Sequence, residues 1–512
     1  MSDEDQSQQA VFAFLADPAT HGGAKVTRID THAASVFLAG DRVLKVKRAV
    51  RFPFLDYSTL EKRKAACEAE LSVNAPYAPE IYHGVVPIAR DANGKFTIGG
   101  AGVPAEWAVD MQRFDETRTL DHLAGEIDEA LADALGRAVA AAHAKTLVAD
   151  AENWIAALGG YVDEHVEVFG QYPDVFPAVE IDALGRASRE AYQRIVPLLR
   201  ERGQRGFVRH IHGDLHLGNI ALIGDKPVLF DAIEFSDIIA TGDVLYDLAF
   251  LLMDLLERGL AFVANVVLNR YLTQTRRIEH LEALSTLPFF LSMRASIRAT
   301  VTTARLERAK VSDRDSISRS ARAYFNFARQ AIAPPAPKFV AVGGLSGTGK
   351  TKLARALAPE LKPMPGAVIV RSDVERKALF GIDEAEKLPT DGYTDEVTAR
   401  VYSTVIDKAR RVLAAGHSVI VDAVFAQAEE RADIADAAES ANFTLRGLFL
   451  TADLQTRLNR VGTRAHDASD ADAEVAQAQE RDDLGVLDWT EIDASGTPEN
   501  TLARAKAALA SA

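Results

Sequence analysis

The sequence predicts two folds in succession: a bilobal α+β part, and then an α/β part whose parallel sheet is covered by helices on both faces. Three observations predict this order. Short strands and a single helix over about 25–115 give way to mostly helical sequence over about 116–330. Prolines within 331–338 end the helical pattern and predict a linker. Over 339–512, short apolar strands alternate with helices, as in a parallel sheet buried on both faces.

The composition is that of an ordinary globular protein, and it excludes several classes. The chain has 512 residues, of which 48% are hydrophobic and 26% charged, with a formal net charge of −15. This charge argues against nucleic acid and anionic lipid as partners. A single cysteine, Cys67, and an acidic polar start without a secretion signal predict a cytoplasmic protein. The most apolar stretch, 244–256, carries Asp247 and Asp254 and is too short to span a membrane.

The segment IHGDLHLGNI, residues 211–220, allows two kinds of chemistry. Its histidines, with His210 just before it, suggest a metal site. However, Leu215 separates Asp214 from His216, which breaks the pattern that a two-metal hydrolase would need. Asp214 and Asn219, five positions apart, instead match a kinase loop, in which the aspartate accepts the proton of the attacking hydroxyl and the asparagine binds magnesium.

The kinase interpretation requires partners from distant parts of the chain. The strand VLFD ends at Asp231, the position expected for a second magnesium ligand. The predicted hairpin 35–48, which turns at Ala39-Gly40-Asp41, supplies Lys45 for the α- and β-phosphates. Lys47 lies on the same face, and we expect one of the two lysines to be an exposed edge charge. The helix over 62–74 offers either Glu68 or Glu70 to the lysine, and we choose Glu70.

The segments HGDLHLGN, LFDAIEF and YDLA, in this order, resemble those of the aminoglycoside phosphotransferase family. The resemblance runs over most of 25–320 and implies a protein-kinase-like fold that phosphorylates hydroxyls of small molecules with ATP and Mg²⁺. It implies that Asp214 is catalytic, that Asn219 and Asp231 bind magnesium, that Asp247 in YDLA supports the catalytic loop, and that a hinge near Met111 contacts adenine. His143, in AAAHAK, is expected to be a packed or surface residue of its helix. Two departures stand out: the small lobe has no glycine-rich loop, and no glycine follows Asp231.

The run FVAVGGLSGTGKTKLARAL, residues 339–357, is a Walker A loop between an apolar strand and an amphipathic helix. Its glycines let backbone N–H groups surround the β-phosphate, while Lys350 reaches the β- and γ-oxygens and Thr351 binds magnesium. The residues expected to bind nucleotide are Gly344, Ser346, Gly347, Thr348, Gly349, Lys350 and Thr351.

Further polar residues follow the later strands of this half. Asp373, after VIVRS, is placed to accept the acceptor's proton, with Arg376 one helical turn later to orient the acceptor. Asp422 ends the strand SVIVD in a position suited to the metal. Arg464 is our choice for a lid arginine, with Arg457 and Arg460 as the other two arginines of that segment.

This half resembles P-loop kinases such as gluconate kinase, polynucleotide kinase, chloramphenicol phosphotransferase and zeta toxins, over about 339–500. Nothing in it resembles the sensor and arginine-finger layout of ring-forming ATPases. The whole chain resembles bifunctional aminoglycoside phosphotransferase and ATP-binding proteins. We expect a domain over 1–330, a linker over 331–338 and a P-loop NTPase domain over 339–512.

Three functions are consistent with the sequence. The first is an enzyme with two ATP–magnesium sites, each phosphorylating a small-molecule hydroxyl. The second has one catalytic half and one nucleotide-gated regulatory half. The third has the P-loop half acting on a nucleotide or a nucleic-acid end, which the acidic net charge disfavours. The acceptors and the oligomeric state stay open.

Overall fold

The structure, a computed structural model, describes residues 3–52, 55–462 and 468–510. Within these ranges helices predominate, and the strands gather mainly in two sheets. No helix in the described ranges has both the length and the apolar character needed to cross a membrane. The α+β and α/β architecture predicted from the sequence is confirmed, since one sheet is antiparallel and the other parallel.

The chain folds into two compact units. The first comprises Met1–Glu167 and Tyr192–Asp254, and the second comprises Val168–Ala191 and Leu255–Ala512. The proline-containing linker predicted over 331–338 lies inside the second unit. The domain limits predicted from the sequence rest on these prolines and stay a prediction.

The first unit begins with a sheet and two helices. Its elements in chain order are α1 (Asp3–Ala16), β1 (Val26–Asp30), β2 (Ala34–Ala39), β3 (Arg42–Lys47), β4 (Arg51–Phe52), β5 (Leu55–Asp56), α2 (Leu60–Asn74), β6 (Tyr82–Arg90), β7 (Phe96–Ile98) and β8 (Val103–Gln112). Six strands pair antiparallel in the order β1-β2-β3-β8-β6-β7. The β2–β3 hairpin turns where it was predicted, because Ala39 pairs with Arg42 across Gly40 and Asp41. Gly40 has a φ of +57°, a conformation that glycine adopts without strain.

Helix α2 lies against this sheet and sets the depth of its glutamate. Thr59 caps its first turn by accepting a hydrogen bond from the Lys62 backbone N–H. The helix buries Cys67 in an apolar cluster with Val43 of β3 and Met111 of β8. Because that cluster holds one face of α2 on the sheet, the polar residues of the same face are carried into the interior.

Helical sequence with two short strand pairs follows. The elements in chain order are α3 (Glu129–Lys145), α4 (Glu152–Gly170), α5 (Ala178–Gln204), β9 (Val208–His210), β10 (Ile220–Ile223), β11 (Lys226–Leu229), β12 (Thr241–Asp243), α6 (Val244–Glu257), α7 (Ala261–Thr275), α8 (Ile278–Glu282), α9 (Leu287–Ala304) and α10 (Val311–Ile332). Strands β10 and β11 form the hairpin predicted around IALIGDKPVL. This hairpin carries Asn219 at its entry and Asp231 at its exit, so it brings the two ends of the segment close together.

The second unit contains a parallel sheet surrounded by helices. The elements in chain order are β13 (Phe339–Gly344), α11 (Lys350–Leu357), β14 (Val368–Arg371), α12 (Ser372–Leu379), α13 (Asp395–Ala414), β15 (Val419–Asp422), α14 (Ala428–Ser440), β16 (Leu445–Thr451), α15 (Leu454–Gly462), α16 (Ala473–Ala478), β17 (Thr490–Asp493) and α17 (Pro498–Ala510). The strand order is β14-β15-β13-β16-β17. The carboxyl ends of β13, β14 and β15 therefore meet at one edge of the sheet. Four of the five strands match the predicted ones, whereas β17 was missed because TEID is short and acidic.

Strand β14 ends the sheet on one side, and α7 of the same unit covers its edge. Asn269 accepts a hydrogen bond from the Ile369 backbone N–H at 2.7 Å. Asn265 and Asn269 both donate to the Ala367 carbonyl, at 3.0 and 3.1 Å. These asparagines satisfy backbone groups that an edge strand would otherwise leave without a partner strand.

Candidate active sites

The loop between β9 and β10 holds Asp214 and Asn219 against each other. The Asn219 side-chain amide donates to the Asp214 carbonyl oxygen at 2.9 Å and to its carboxylate at 3.1 Å. His216 Nε2 lies 3.3 Å from the same carboxylate. The Asp214 side chain remains 38% exposed, so it is accessible to a substrate while its orientation is fixed.

The histidines of this segment do not form a cluster. His210 is exposed at the end of β9, whereas His212 is buried and donates from Nε2 to the Phe230 carbonyl at 2.9 Å. Burial lowers the pKa of His212 and outweighs the attraction of Asp247. Among the described residues, no group of three or more His, Cys, Asp or Glu side chains is arranged to hold a metal ion.

Asp247, at the start of α6, supports the loop from below. Its two carboxylate oxygens accept hydrogen bonds from the His212 and Gly213 backbone N–H groups, each at 3.0 Å. His143 of α3 donates to the same carboxylate at 3.1 Å. The sequence predicted a supporting position for Asp247, but His143 was expected to be only a packed or surface residue. The structure shows that it is buried and belongs to this support.

Lys45, Glu70 and Asp231 meet through ion pairs. Lys45 Nζ lies 2.7 Å from Glu70 and 2.7 Å from Asp231. Withdrawal from water opposes the charge on Lys45, but Asp231 and Glu70 outweigh it and raise the pKa of the amine well above its usual range. Glu68, the alternative to Glu70, lies exposed beside Lys64. The structure therefore brings Glu70 to the lysine and leaves Glu68 outside.

The expectation that one of the two lysines is an exposed edge charge is wrong. Lys47 is 3% exposed, lies 2.6 Å from Glu70 and forms a second ion pair with Glu234. Burial opposes its charge, but Glu70 and Glu234 raise the pKa of Lys47 above its usual range. Period-two alternation correctly placed both lysines on one face, but it could not show that this face is covered by α2 and by the segment after Asp231.

The backbone at Asp231 is held in an unusual conformation by residues that the sequence analysis missed. Asp231 has a φ of +60°, which is uncommon for a residue other than glycine. Its N–H donates to the Tyr82 hydroxyl at 3.2 Å. Asn74, the last residue of α2, accepts from the Ala232 N–H at 2.7 Å and donates to the Ala232 carbonyl at 3.2 Å. Side-chain contacts from Tyr82 and Asn74 thus hold the turn at Asp231 and Ala232.

Oxygen ligands of the kind that Mg²⁺ prefers lie together in this unit. The Asp231 carboxylate is 48% exposed, and the Phe230 N–H donates to the Asn219 carbonyl at 3.0 Å, which keeps the two ligand segments adjacent. A carboxylate with an amide oxygen fits a hard cation. Met111, the predicted hinge, lies one residue before the end of β8, in the apolar cluster with Val43.

The Walker A loop of the second unit has the geometry of a phosphate-binding loop. Gly344, Gly347 and Gly349 have φ angles of +138°, +86° and +97°, so the loop uses conformations that other residues rarely adopt. A side chain at Gly347 would meet the Arg457 backbone at 2.6 Å. Arg457 in turn donates from Nε to the Ser346 carbonyl at 2.8 Å and holds the loop in place.

Groups suited to magnesium lie at the start of α11. Thr351 Oγ1 donates to Asp422 at 2.7 Å, across the carboxyl edge of the sheet. A threonine hydroxyl beside a carboxylate is the ligand pair that P-loop proteins offer to Mg²⁺, so these residues fit the ion. Lys350 Nζ lies 3.3 Å from the Leu345 carbonyl within the loop. Arg371 also approaches Thr351 and Asp422, and the sequence analysis did not single it out.

Asp373 lies in the first turn of α12 and Arg376 in its last turn, and it is the aspartate that interacts with the groups of the loop. Desolvation raises the pKa of Asp373, against the opposing attraction of Arg371. The Arg376 guanidinium donates to the Gly392 carbonyl at 2.9 Å and to Thr398 at 3.2 Å. In this structure Arg376 therefore holds a neighbouring loop.

The predicted lid lies only partly within the described residues. Arg464 falls in 463–467, outside the described ranges. Arg457 is buried on the Walker loop, and Arg460 donates to the Thr348 carbonyl at 3.3 Å. Both arginines that were considered besides Arg464 therefore contact the loop.

These two sites define the class: the fold and the polar residues are those of a kinase-type phosphotransferase. Residues 43–281 match the family model described as "Phosphotransferase enzyme family", and residues 339–482 match one described as "AAA domain". The chain therefore joins a kinase-like region of the phosphotransferase family to a P-loop region, and the resemblance inferred from the sequence is confirmed. Both kinds of region imply the use of ATP, with Mg²⁺ typical.

Relatives and solved structures match parts or most of the chain. "Uncharacterized protein Rv2004c" of Mycobacterium tuberculosis is 28% identical over 491 residues, which cover 93% of this chain and 94% of the relative. A gluconokinase from Sinorhizobium meliloti is 20% identical, with a TM-score of 0.26, over 34% of this chain and 93% of its own. The GDP complex of aminoglycoside 2'-phosphotransferase-IIIa is 14% identical, with a TM-score of 0.37, over 62% and 98%.

Proposed function

We propose that the protein has two ATP–magnesium sites, each of which transfers the γ-phosphoryl group to a hydroxyl of a small molecule. The observation that carries the proposal is the completeness of the polar set in each unit. In the first unit, a half-exposed Asp214 is fixed by Asn219, and Lys45 is paired to both Glu70 and Asp231. In the second, Lys350 and Thr351 stand on a Walker loop with Asp373 and Asp422 nearby.

In the first unit, Asp214 would act as the base. Its carboxylate orients the acceptor hydroxyl and takes its proton as the hydroxyl oxygen bonds to the γ-phosphorus. The bond from the γ-phosphorus to the bridging oxygen breaks, and ADP leaves with that electron pair. Lys45 would hold the α- and β-phosphates, positioned by Glu70. Magnesium, held by Asn219 and Asp231, would neutralise charge on the phosphates.

In the second unit, Asp373 would accept the acceptor's proton and Arg376 would orient the acceptor. Lys350 and the backbone of Gly347 and Gly349 would bind the phosphates, while Thr351 and Asp422 would hold magnesium. The remaining residues proposed for nucleotide contact are Gly344, Ser346, Thr348 and Arg464. Since Arg376 is engaged with Gly392 and Thr398 in this structure, binding of the acceptor would have to release it.

Small hydroxyl compounds are proposed as acceptors in preference to nucleic acid, because the net charge is −15. We propose the cytoplasm as the location, consistent with the single, buried thiol of Cys67. Burial raises the pKa of this thiol to about 12, so it does not act as a reactive thiolate.

The test measures ADP release by the full chain, with and without a panel of sugar, amino-alcohol and nucleoside acceptors. Asp214→Ala is expected to abolish acceptor-dependent turnover by the first unit alone, and Lys350→Ala that of the second alone. Two exposed residues supply matched controls: Asp225→Ala, in the β10–β11 turn, and Lys352→Ala, two residues after Lys350. Both controls are expected to keep every activity.

Each alternative function has its own outcome in this experiment. If neither Asp214→Ala nor Lys350→Ala changed any activity, the two-site proposal would fail. If Lys350→Ala silenced turnover in both units, the P-loop region would be a nucleotide-gated regulator. Turnover in the second unit with only nucleotides or nucleic-acid ends as acceptors would favour the third function.

A further inference from the structure

Arg371 is the last residue of β14. It lies beside the residues of the second unit that are suited to magnesium. It is the register partner of Asp422 on the neighbouring parallel strand, so both side chains leave the sheet at the same level. Its Nη2 donates to Thr351 Oγ1 at 3.2 Å, and its Nε lies 3.4 Å from the Asp422 carboxylate. The residue is only 8% exposed. A buried guanidinium thus shares the two oxygen groups that are suited to the metal.

The contacts of Arg371 with Thr351 and Asp422 are electrostatically favourable only while no metal ion is bound there. A divalent cation held by Thr351 and Asp422 would lie beside the positive charge of Arg371. The guanidinium would lose its share of the Asp422 carboxylate, and Asp373 would be the remaining carboxylate that interacts with it. The anion that accompanies the metal is the nucleotide phosphate, and the planar fork of arginine matches phosphate oxygens in a bidentate manner.

The position of Arg371 indicates which phosphate it reaches. Lys350 approaches from the Walker loop, whereas Arg371 lies two residues before Asp373, on the side where the acceptor is expected. Asp373 interacts electrostatically with Arg371, Asp422 and Lys350, so the four groups lie near one another. The phosphate that lies between the loop and the acceptor is the one to be transferred.

We propose that Arg371 binds the γ-phosphate in the P-loop site and thereby distinguishes a nucleoside triphosphate from a diphosphate. In the free protein it rests on Thr351 and Asp422, and it turns to the phosphate when Mg²⁺ takes those oxygens. The inference rests on the proposed function of the second unit. It adds a nucleotide-binding residue that the Walker signature does not contain.

The test compares the affinity of the full chain for ADP and for the non-hydrolysable β,γ-imido analogue of ATP, both with Mg²⁺, by titration calorimetry. Arg371→Gln is expected to weaken binding of the analogue at one site roughly 10- to 100-fold, the value of a lost charge-assisted contact. Binding of ADP should change by less than about threefold. The exposed Arg400, on α13, gives the control Arg400→Gln, which should bind both nucleotides as the wild type does.

Two further variants separate a phosphate contact from a structural role. Arg371→Lys keeps the charge but not the fork, so a smaller loss confined to the triphosphate is expected. In a Lys350→Ala background, adding Arg371→Gln should have no further effect, because Lys350→Ala already removes nucleotide binding at this site. Hydrogen exchange of the second unit, read by mass spectrometry, shows for each variant whether that unit remains folded.

The results that would overturn the inference are distinct from those that would overturn the proposed function. Equal loss of ADP and analogue binding would make Arg371 a structural residue, and no loss of either would exclude the contact. If Lys350→Ala itself left both nucleotides bound at two sites, the P-loop nucleotide site would fail and the inference with it.

Discussion

Replacement of Glu70 by glutamine tests the buried charge cluster of the first unit. The Glu70 carboxylate is 0% exposed and lies 2.7 Å from Lys45 Nζ and 2.6 Å from Lys47 Nζ. Removing its charge leaves the buried Lys47 and the partly exposed Lys45 with less compensation, and breaking a buried ion pair costs about 3–5 kcal/mol. We expect the lower end, about 3 kcal/mol, because Asp231 and Glu234 still pair with the lysines.

Glu68→Gln is the matched control, since it makes the same chemical change on the same helix. Its side chain is 56% exposed and lies 3.5 Å from Lys64. Exposed pairs of this kind contribute at most about 1 kcal/mol. The difference in stability between the two variants therefore separates the effect of losing a buried charge from the effect of losing any carboxylate on this helix.

Hydrogen exchange read by mass spectrometry is the appropriate assay, because a chain with two compact units does not unfold in one transition. Glu70→Gln should speed exchange of amides in 42–47 and 60–74, whereas Glu68→Gln should not. Peptides over 339–357, in the second unit, serve as the internal reference. Equal exchange in the two variants would refute the idea that the buried charge stabilises this unit.

The pH dependence gives an independent check on the same residue. Burial disfavours the charged form of Glu70, but Lys45 and Lys47 outweigh it and lower the pKa. A lowered carboxylate pKa means that its stabilisation is fully present above the unfolded-state value, near 4.5, and is lost as the pH falls through the folded-state value. The wild type should lose protection in 60–74 on acidification, and Glu70→Gln should lack this component.

Two other predictions concern the second unit. Asn265→Ala with Asn269→Ala should destabilise the edge of the parallel sheet by about 1 kcal/mol for each hydrogen bond lost, seen as faster exchange at 367–371, and unchanged exchange there would contradict the contact. Since desolvation raises the pKa of Asp373, acceptor phosphorylation by this unit should fall with acidification at a higher pH than an ordinary carboxylate would give. A pH–rate profile whose acid limb lay near pH 4 would contradict that role.

Local spacing predicted those parts of the sites that depend on one stretch of chain. Asp214 and Asn219 lie in one loop, and the Walker residues lie in another, so each set could be predicted from its own motif. The periodicity of one helix showed that Glu68 and Glu70 cannot both face the lysine, and the structure brings Glu70 to it. Such residues are predictable because the backbone of a single element fixes their relative positions.

The contacts that sequence reasoning missed join residues from separate elements. Glu234 and Lys47 are 187 positions apart, and no periodicity in either segment indicates that they meet. Asn74 holds the turn at Ala232 across 158 positions. The sequence contained a partial indication for Lys47. Two lysines lie on one strand face, and two acidic residues follow VLF, so more than one ion pair could be expected there. The sequence contained no such indication for Arg371, because its proposed role depends on its register with Asp422 on the neighbouring strand.

Helix α7 lies within the family match of the first region, but it contacts the parallel sheet of the second unit. The prolines before β13 suggest a boundary at which the two regions could be separated. However, α7 precedes this boundary in the chain and hydrogen-bonds to the edge strand β14. Arg270, on the same helix, pairs with Glu384 at 2.7 Å, and the carbonyl of Glu384 accepts from Lys377 of α12. A fragment beginning at 339 would lose these contacts and expose the strand that carries Arg371 and leads to Asp373. Helix α7 is therefore part of what shapes the second site, even though the family match that covers it is that of the first region.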